Sequence, residues 1–385
     1  MSIPDFASML PRFEAALSWA DAQVRRTIER YPDQLPVVTE NGRWRPQTTS
    51  PLDPAAACWP GMMWVLAEAT EEVYWREQAE RYSRLIESHW DDVSRPGTGF
   101  ALYFGGHRRW HEATVREGVP EPMVLEFLIR AGAATAARFQ PGGYLSSARG
   151  ADSLTLESLL DVPLMLLAAN ETQDQQLVEQ AARHCATVRR CLVRGDGSVA
   201  TEAQMDPATG ECRRWVTNVG YRGDTCWARG LAWAVLGFAT AGRMLDFEPW
   251  IETARRSGQY LIEKLSLRPV PPWDFEAPAD PPAPRDSSAA AVAAAALFAL
   301  ADAEHRVGQE QAHQRRHLQE VALAVLDTLC EPECLASEDA AWEALLKHGI
   351  GNLPAGWAVD ESVVWGDAFF VEALHHAVRL LRCRS

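Results

Sequence analysis

The sequence predicts an all-α protein folded as an (α/α)6 toroid, in which six inner helices are surrounded by six outer ones. Apolar residues recur at helical rather than alternating spacing, for example in residues 59–70 and 125–139. Glycine, proline and aspartate breakers divide these segments into about twelve helices. Several segments, above all residues 286–304, are small and apolar on nearly all sides, so they must lie inside the molecule.

The helical segments follow one another along the whole chain and pair into hairpins. They begin near Pro4, Ala55, Glu72, Gly99, Glu121, Ser153, Gln173, Thr225, Phe247, Ser287, Glu310 and Glu361. Three longer connections, residues 194–223, 267–285 and 331–360, are predicted to build the rim of the mouth on which the inner-helix N-termini converge. No disordered linker interrupts the pattern, so residues 1–385 are predicted to form a single domain.

Composition and charge exclude several classes of function. The chain is 47% hydrophobic and 23% charged, which is typical of a globular protein, and its net charge of −15 argues against nucleic acid or an anionic membrane as a partner. The eight cysteines are scattered without a CxxC pair and are predicted to be reduced thiols. With neither a signal peptide nor an apolar segment of membrane-spanning length, the protein is predicted to be cytoplasmic.

Fifteen tryptophans are an unusually large number, and two of them open a predicted inner helix with an arginine between them. These residues are Trp227, Arg229 and Trp233. Buried indoles pack cores, and exposed indoles in a groove hold sugar rings. The pattern by itself is compatible with both.

The segment that carries this trio resembles a known signature. It reads YRGDTCWARGLAW and is similar to the signature of the unsaturated glucuronyl hydrolases and unsaturated rhamnogalacturonyl hydrolases, glycoside hydrolase families 88 and 105. Further similar segments occur in family order: WPGMMW, LLDVPLMLLAANETQD, PPWDFEAPADPPAPRDSSAAAVAAAAL and LLKHGIGNLPAGWAVDESVVWGDAFFVEAL. The resemblance covers nearly the whole chain and implies the same toroid, in a divergent member.

The resemblance also implies a reaction. The substrates of these families are small saccharides with a C4=C5 double bond in a terminal uronic residue. A carboxylic acid protonates the double bond, water adds across it, and the product opens to release the next sugar. A saccharide is therefore the expected partner, and no metal or organic cofactor is implied.

The acidic residues implied for this chemistry are Glu157 and Asp161. Glu157 stands in TLESLLDVPL where the family has its principal aspartate, and Asp161 stands where it has an asparagine. Gly97 falls on the second family aspartate, so this chain lacks a carboxylate there. That loss places hydrolysis in question and favours an alternative: a toroid that binds a sugar or metabolite without hydrolysis, or that catalyses hydration, dehydration or isomerisation.

The predicted substrate-binding residues lie at helix starts or in rim connections: Trp59, Asp224, Trp227, Arg229, Trp233 and Trp273. Asp224 has a second interpretation as a cap of the helix that follows it. For Trp365, packing is preferred over substrate contact. The segment GNLPAGWAVDES, which corresponds to the family's anion-gripping loop, has no Lys or Arg, so a heavily sulfated substrate is not expected.

His107 and His111 lie four residues apart, a spacing suitable for a metal pair on one helix face. The sequence offers no third ligand, so no metal site is predicted. With Arg108 and Arg109, the two histidines have an alternative interpretation as a cationic surface that recognises substrate.

Overall fold

The computed structural model describes residues 6–47, 53–90, 92–304 and 309–384. Twelve α-helices lie within these ranges. They are α1 Phe6–Arg30, α2 Cys58–Thr70, α3 Val73–Ser88, α4 Gly106–Arg116, α5 Pro122–Thr135, α6 Val162–Thr172, α7 Gln175–Leu192, α8 Ala228–Met244, α9 Glu248–Leu267, α10 Ser287–Ala303, α11 Gln309–Leu329 and α12 Val364–Arg382.

The even-numbered helices form an inner ring and the odd-numbered helices surround it. In the ring, α6 packs on α8, α8 on α10, α10 on α12, α12 on α2, and α2 on α4. A π-helical turn, Phe100–Phe104, precedes α4 and packs on α6, which closes the ring. This arrangement is the predicted (α/α)6 toroid, and the helix count and order predicted from apolar periodicity are confirmed.

The inner helices are apolar because they are enclosed on all sides. Every residue of α10 from Ser287 to Phe298 is buried, and Asp286 caps its N-terminus by accepting the N–H groups of Ser288 and Ala289. The outer helices instead show one apolar stripe; α7, for example, buries Leu177, Ala181 and Val188 and exposes charged side chains. No helix in the described ranges is long and apolar enough to cross a membrane.

Short antiparallel strands occupy the connections. They are β1 Leu35–Glu40, β2 Arg43–Gln47, β3 Phe139–Gln140, β4 Tyr144–Leu145, β5 Ser153–Thr155, β6 Glu202–Met205, β7 Cys212–Val216, β8 Gly349–Asn352 and β9 Trp357–Glu361. β1 pairs with β2, β3 with β4 and β8 with β9, while β5, β6 and β7 form a three-stranded sheet in that order. The sheet and the β8–β9 hairpin lie beside the inner-helix N-termini and fix the loops around the mouth.

The cysteines are thiols, as predicted: all eight are free, and most are buried.

Candidate active site

A cavity of about 310 Å³ opens where the N-termini of the inner helices converge. Its charged wall residues are Asp53, Glu157, Asp161, Arg138 and Arg229, and its aromatic wall residues are Phe100, Trp227, Trp233, Trp357 and Trp365. The segments that precede α2, α4 and α6 and the starts of α8 and α12 contribute wall residues, and the start of α10 holds partners of Arg229. The mouth predicted from the helix pattern is therefore a real cavity.

Glu157 lies in a 3-10 turn, Leu156–Asp161, that leads from β5 into α6. The turn is fixed to the three-stranded sheet because Leu156 N–H donates to Thr201 O over 2.9 Å. Burial raises the pKa of Glu157, while its own backbone N–H and the charges of Arg229 and Arg149 oppose the rise. A carboxyl group with a raised pKa stays partly protonated at a higher pH than usual, and it can therefore donate a proton to a substrate.

Asp161 also lies in the wall, but both of its carboxylate oxygens bind protein groups. Oδ1 accepts the N–H of Gly99 over 2.8 Å, and Oδ2 accepts the N–H of Gly97 and contacts Arg138 in an ion pair. A Cβ at residue 99 would lie 2.2 Å from Asp161 Cα, so only glycine fits. This carboxylate therefore holds residues 97–99 against the turn that leads into α6, and the catalytic use of Asp161 stays a prediction.

Arg229 lies in the first turn of α8, and its guanidinium links three elements. Nη1 donates to Asp286 Oδ2 over 2.9 Å and to Ser288 Oγ over 3.0 Å, and it contacts Ile350 O. Nη2 donates to Gly351 O over 2.8 Å. The guanidinium carbon lies 4.6 Å from the ring centroid of Trp227. Arg229 thus fixes the β8–β9 hairpin to the starts of α8 and α10.

The two tryptophans of the trio both line the cavity. Trp227 is the extended residue before α8, and Trp233 packs edge-on against Phe100 and Phe369 at centroid distances of 5.5 and 5.2 Å. Both are almost fully buried, which means that they belong to the core and to the cavity wall at the same time. The sequence left two interpretations open for these indoles, packing in the core and a place in a sugar-binding groove, and their positions are compatible with both.

Three predicted substrate-binding residues lie outside the cavity wall. Trp59 is 1% exposed and packs between Trp44 and Tyr82 in the core. Trp273 is buried behind the wall, where its indole N–H donates to Val219 O over 2.6 Å. These two assignments are corrected, because neither ring surface reaches the cavity.

Asp224 is exposed and pairs with Arg222 over 2.9 Å. The interpretation of Asp224 as the cap of α8 is wrong, because Trp227 is the N-cap residue and no side chain caps this helix. Its predicted contact with a sugar hydroxyl is corrected for the same reason as the two tryptophans: it does not line the cavity.

Neither His107 nor His111 lies in the cavity wall. His107 is fully buried against Trp110 and Phe127, and burial lowers its pKa to about 3, so it is neutral. The neighbouring Arg108 pairs with Glu112, and Arg109 pairs with Glu372. This segment lies in α4, away from the cavity wall, and no cluster of metal-ligating side chains occurs anywhere in the described ranges.

Five of the charged and aromatic wall residues were not predicted as site residues from the sequence: Asp53, Phe100, Arg138, Trp357 and Trp365. Trp357 stands on the rim hairpin, 41% exposed, and stacks on Trp365 at a centroid distance of 6.1 Å. The rim segment GNLPAGWAVDES contains Trp357, so an aromatic in a predicted rim loop was the available signal. Arg138 carried no such signal, since its partner Asp161 is 23 residues away.

Comparison with known proteins places this geometry in context. No family model matches the sequence. The unsaturated glucuronyl hydrolase of Bacillus sp. (strain GL1) is 26% identical over 355 residues, which cover 91% of this chain and 92% of that protein. An unsaturated chondroitin disaccharide hydrolase of Streptococcus pneumoniae is 30% identical over 227 residues, 57% of this chain and 54% of that protein.

Solved structures show the same fold. The crystal structure of the Bacillus sp. GL1 unsaturated glucuronyl hydrolase, responsible for degradation of glycosaminoglycan, superposes with a TM-score of 0.85 at 24% identity, covering 94% of this chain and 96% of that chain. An unsaturated glucuronyl hydrolase specific for heparin superposes with a TM-score of 0.87 at 23% identity, covering 97% and 98%. The chain is therefore similar to unsaturated glucuronyl hydrolases over nine-tenths of its length, and the solved structures show that it shares their fold.

Proposed function

We propose that this protein is a glycoside hydrolase acting on small saccharides with an unsaturated uronic residue, and that Glu157 is its catalytic acid. The observation that carries the proposal is the position of Glu157: its carboxyl lies in the cavity wall, no other side chain hydrogen-bonds it in the described ranges, and burial raises its pKa. The names of the family's relatives support the substrate class.

The proposed reaction begins with transfer of the Glu157 proton to C4 of the double bond. Water adds its oxygen to C5, and the hemiketal that forms opens and releases the next sugar. The wall around Glu157 suits this step, because burial disfavours the charged carboxylate, and Trp227 and Trp233 line the same cavity.

The wall charges favour a substrate without sulfate groups. Arg138 and Arg229 are the cationic residues of the wall within the described part of the chain, and each already binds a carboxylate, Asp161 or Asp286. The rim instead offers the exposed face of Trp357, on which a neutral sugar ring can stack. We therefore expect a neutral or N-acetylated sugar next to the uronic residue.

The proposal is tested by the ultraviolet absorbance of unsaturated disaccharides, which disappears when the double bond is hydrated. The substrates are lyase-derived disaccharides whose second sugar is a neutral hexose, an N-acetylhexosamine or a sulfated N-acetylhexosamine. We expect turnover of the uncharged members, and Glu157→Gln should lower it by about 10² to 10⁴. Glu179→Gln, on the exposed face of α7, is the matched control and should keep wild-type turnover.

One feature favours a second candidate function: Gly97 lies in the cavity wall at the position where the sequence resemblance implies an aspartate. The second candidate is a toroid that binds a sugar or metabolite without hydrolysis, or catalyses another acid–base step. It predicts that the disaccharides quench tryptophan fluorescence without losing absorbance, even at high protein concentration. That result would contradict the hydrolase proposal. A cytoplasmic location stays a prediction from the sequence under either function.

A further inference from the structure

The turn that carries Glu157 is fixed at both ends, by the backbone N–H of Leu156 at its start and by the carboxylate of Asp161 at its end. Its middle is bound to a different element. Ser158, the residue next to Glu157, is 5% exposed, and its Oγ lies 3.1 Å from Nε2 of His184 on α7. The residue beside the proposed acid is therefore tied to an outer helix.

The hydrogen bonds of His184 establish which ring nitrogen carries the proton. Nδ1 lies 3.0 Å from the backbone nitrogen of Leu145, whose N–H can only donate, so Nδ1 is the acceptor. Burial, aided by the charge of Arg138, lowers the pKa of His184 to about 3, so the ring is neutral and carries its one N–H on Nε2. Nε2 therefore donates to Ser158 Oγ, which in turn donates to Thr155 O over 2.5 Å. This chain of hydrogen bonds runs in one direction, from β4 through α7 to the turn before α6.

The chain of hydrogen bonds bears on the position of the Glu157 carboxyl. Glu157 and Ser158 are neighbours in the turn and line the same cavity, so a shift of the turn moves both side chains relative to a bound substrate. His184 is fully buried and does not line the cavity, so it acts on the site through Ser158. A displacement of about 1 Å at a reacting group can cost about 10² in rate.

We infer that His184 is a positioning residue: by donating to Ser158, it holds the turn so that the Glu157 carboxyl stays buried in the cavity wall. The inference rests on the proposed function, in which Glu157 is the acid. The competing role is purely structural. His184 would then matter only because it joins α7 to the β3–β4 hairpin through Leu145.

Two substitutions of His184 separate its two hydrogen bonds. Asparagine carries an oxygen on Cγ, where histidine carries Nδ1, so His184→Asn can accept the Leu145 N–H but is too short to reach Ser158. Glutamine carries its NH₂ group one atom further along, at the distance of Nε2, so His184→Gln can donate to Ser158 and leaves Leu145 without its acceptor. Both should lower the melting temperature, because each leaves a buried group unpaired.

The two variants should differ in turnover of the unsaturated disaccharides. We expect His184→Asn to lower kcat by about 10 to 10² with little change in KM, because Trp227 and Arg229 belong to the start of α8 and keep their places in the wall. His184→Gln should be faster than His184→Asn by about tenfold. The matched control is Thr187→Val on α7, which removes the 2.8 Å bond from Thr187 Oγ to Gly143 O of the same hairpin and should keep the kcat of wild type.

The dependence of turnover on pH is a measurement that a loss of stability alone would not change. Burial raises the pKa of Glu157, so turnover should fall on the alkaline side as this carboxyl loses its proton. A turn without its bond to α7 exposes the carboxyl to water and lowers its pKa, so the falling limb should move to lower pH in His184→Asn and stay in place in His184→Gln. Arg229, Arg149 and Glu202, whose charges also act on Glu157, are present in every variant.

Ser158→Ala removes the acceptor of the His184 N–H and provides a second test if His184→Asn does not fold; its falling limb should also move to lower pH. An unmoved limb in whichever of the two folds, or equal kcat in His184→Asn and His184→Gln, overturns the positioning role of His184 and leaves the role of Glu157 intact. A wild-type protein that turns over none of the disaccharides overturns the hydrolase proposal, and the positioning role with it.

Discussion

Replacing Arg229 with lysine tests how much of the site is held together by one guanidinium. Lysine keeps the positive charge but concentrates its three donors on one atom. In the structure, two separate nitrogens of Arg229 serve acceptors on α10 and on the β8–β9 hairpin. A lysine ammonium that takes the Nη1 position keeps the contact to Asp286, and Gly351 O is then left without its donor.

The expected size of the effect follows from these contacts. A buried acceptor without a donor costs about 1–3 kcal/mol, and loss of the stacked guanidinium over Trp227 adds about 0.5–2 kcal/mol. Arg229→Lys should therefore lower the free energy of unfolding by about 1.5–5 kcal/mol. Arg229→Met should lower the free energy of unfolding by about 3–5 kcal/mol, because Asp286 would be a buried charge without its partner.

Urea denaturation followed by circular dichroism measures both differences. The control is Arg213→Lys on β7, where an exposed pair with Asp206 contributes little, so its free energy of unfolding should stay within about 1 kcal/mol of wild type. If Arg229→Lys is as stable as this control, the β8–β9 hairpin is not held by Arg229 and the reasoning from its hydrogen bonds is wrong.

Two further predictions concern the cavity wall. Gly97→Ala should lower the free energy of unfolding by about 1–3 kcal/mol, since its Cβ would meet the Pro54 ring and its φ is positive; urea denaturation showing wild-type stability would contradict this. The raised pKa of Glu157 contributes stability below the unfolded pKa near 4.5, and this contribution is lost as pH rises through the folded pKa. Glu157→Gln, which cannot titrate, should therefore gain stability relative to wild type as urea denaturation is moved from pH 4 to pH 8; a constant difference would refute the raised pKa.

The fold was predictable from the sequence because the faces of a helix that are buried determine the spacing at which its apolar residues recur. An inner helix such as α10 is enclosed on every side, and its run of alanines with Val292, Leu297 and Phe298 leaves no polar face. Outer helices keep one apolar stripe. The positions of helix starts followed from breakers and caps, as with Asp286 before α10.

The wall residues at helix starts were also within reach of the sequence. Glu157, Trp227, Arg229 and Trp233 converge because the inner helices of a toroid share one mouth. Trp59 shows the limit of that reasoning. It lies in the first turn of α2, as close to a helix start as Trp227 or Arg229, but its ring turns into the core between Trp44 and Tyr82. The position of a residue along an inner helix indicates at which end of the toroid the residue lies. The direction of its side chain depends instead on neighbours that are far away in the sequence.

The residue at position 97 has to be interpreted together with the segment that packs against it. In the sequence resemblance, Gly97 stands in place of an aspartate, so a carboxylate is lost at that position. In the folded chain, a Cβ at residue 97 and the Pro54 ring compete for the same space, so this proline requires glycine there. The same main-chain path places Asp53 in the wall, 44 residues earlier in the sequence. The carboxylates that line this cavity therefore depend on the path of the chain at residues 53–54 as well as on the residue at position 97.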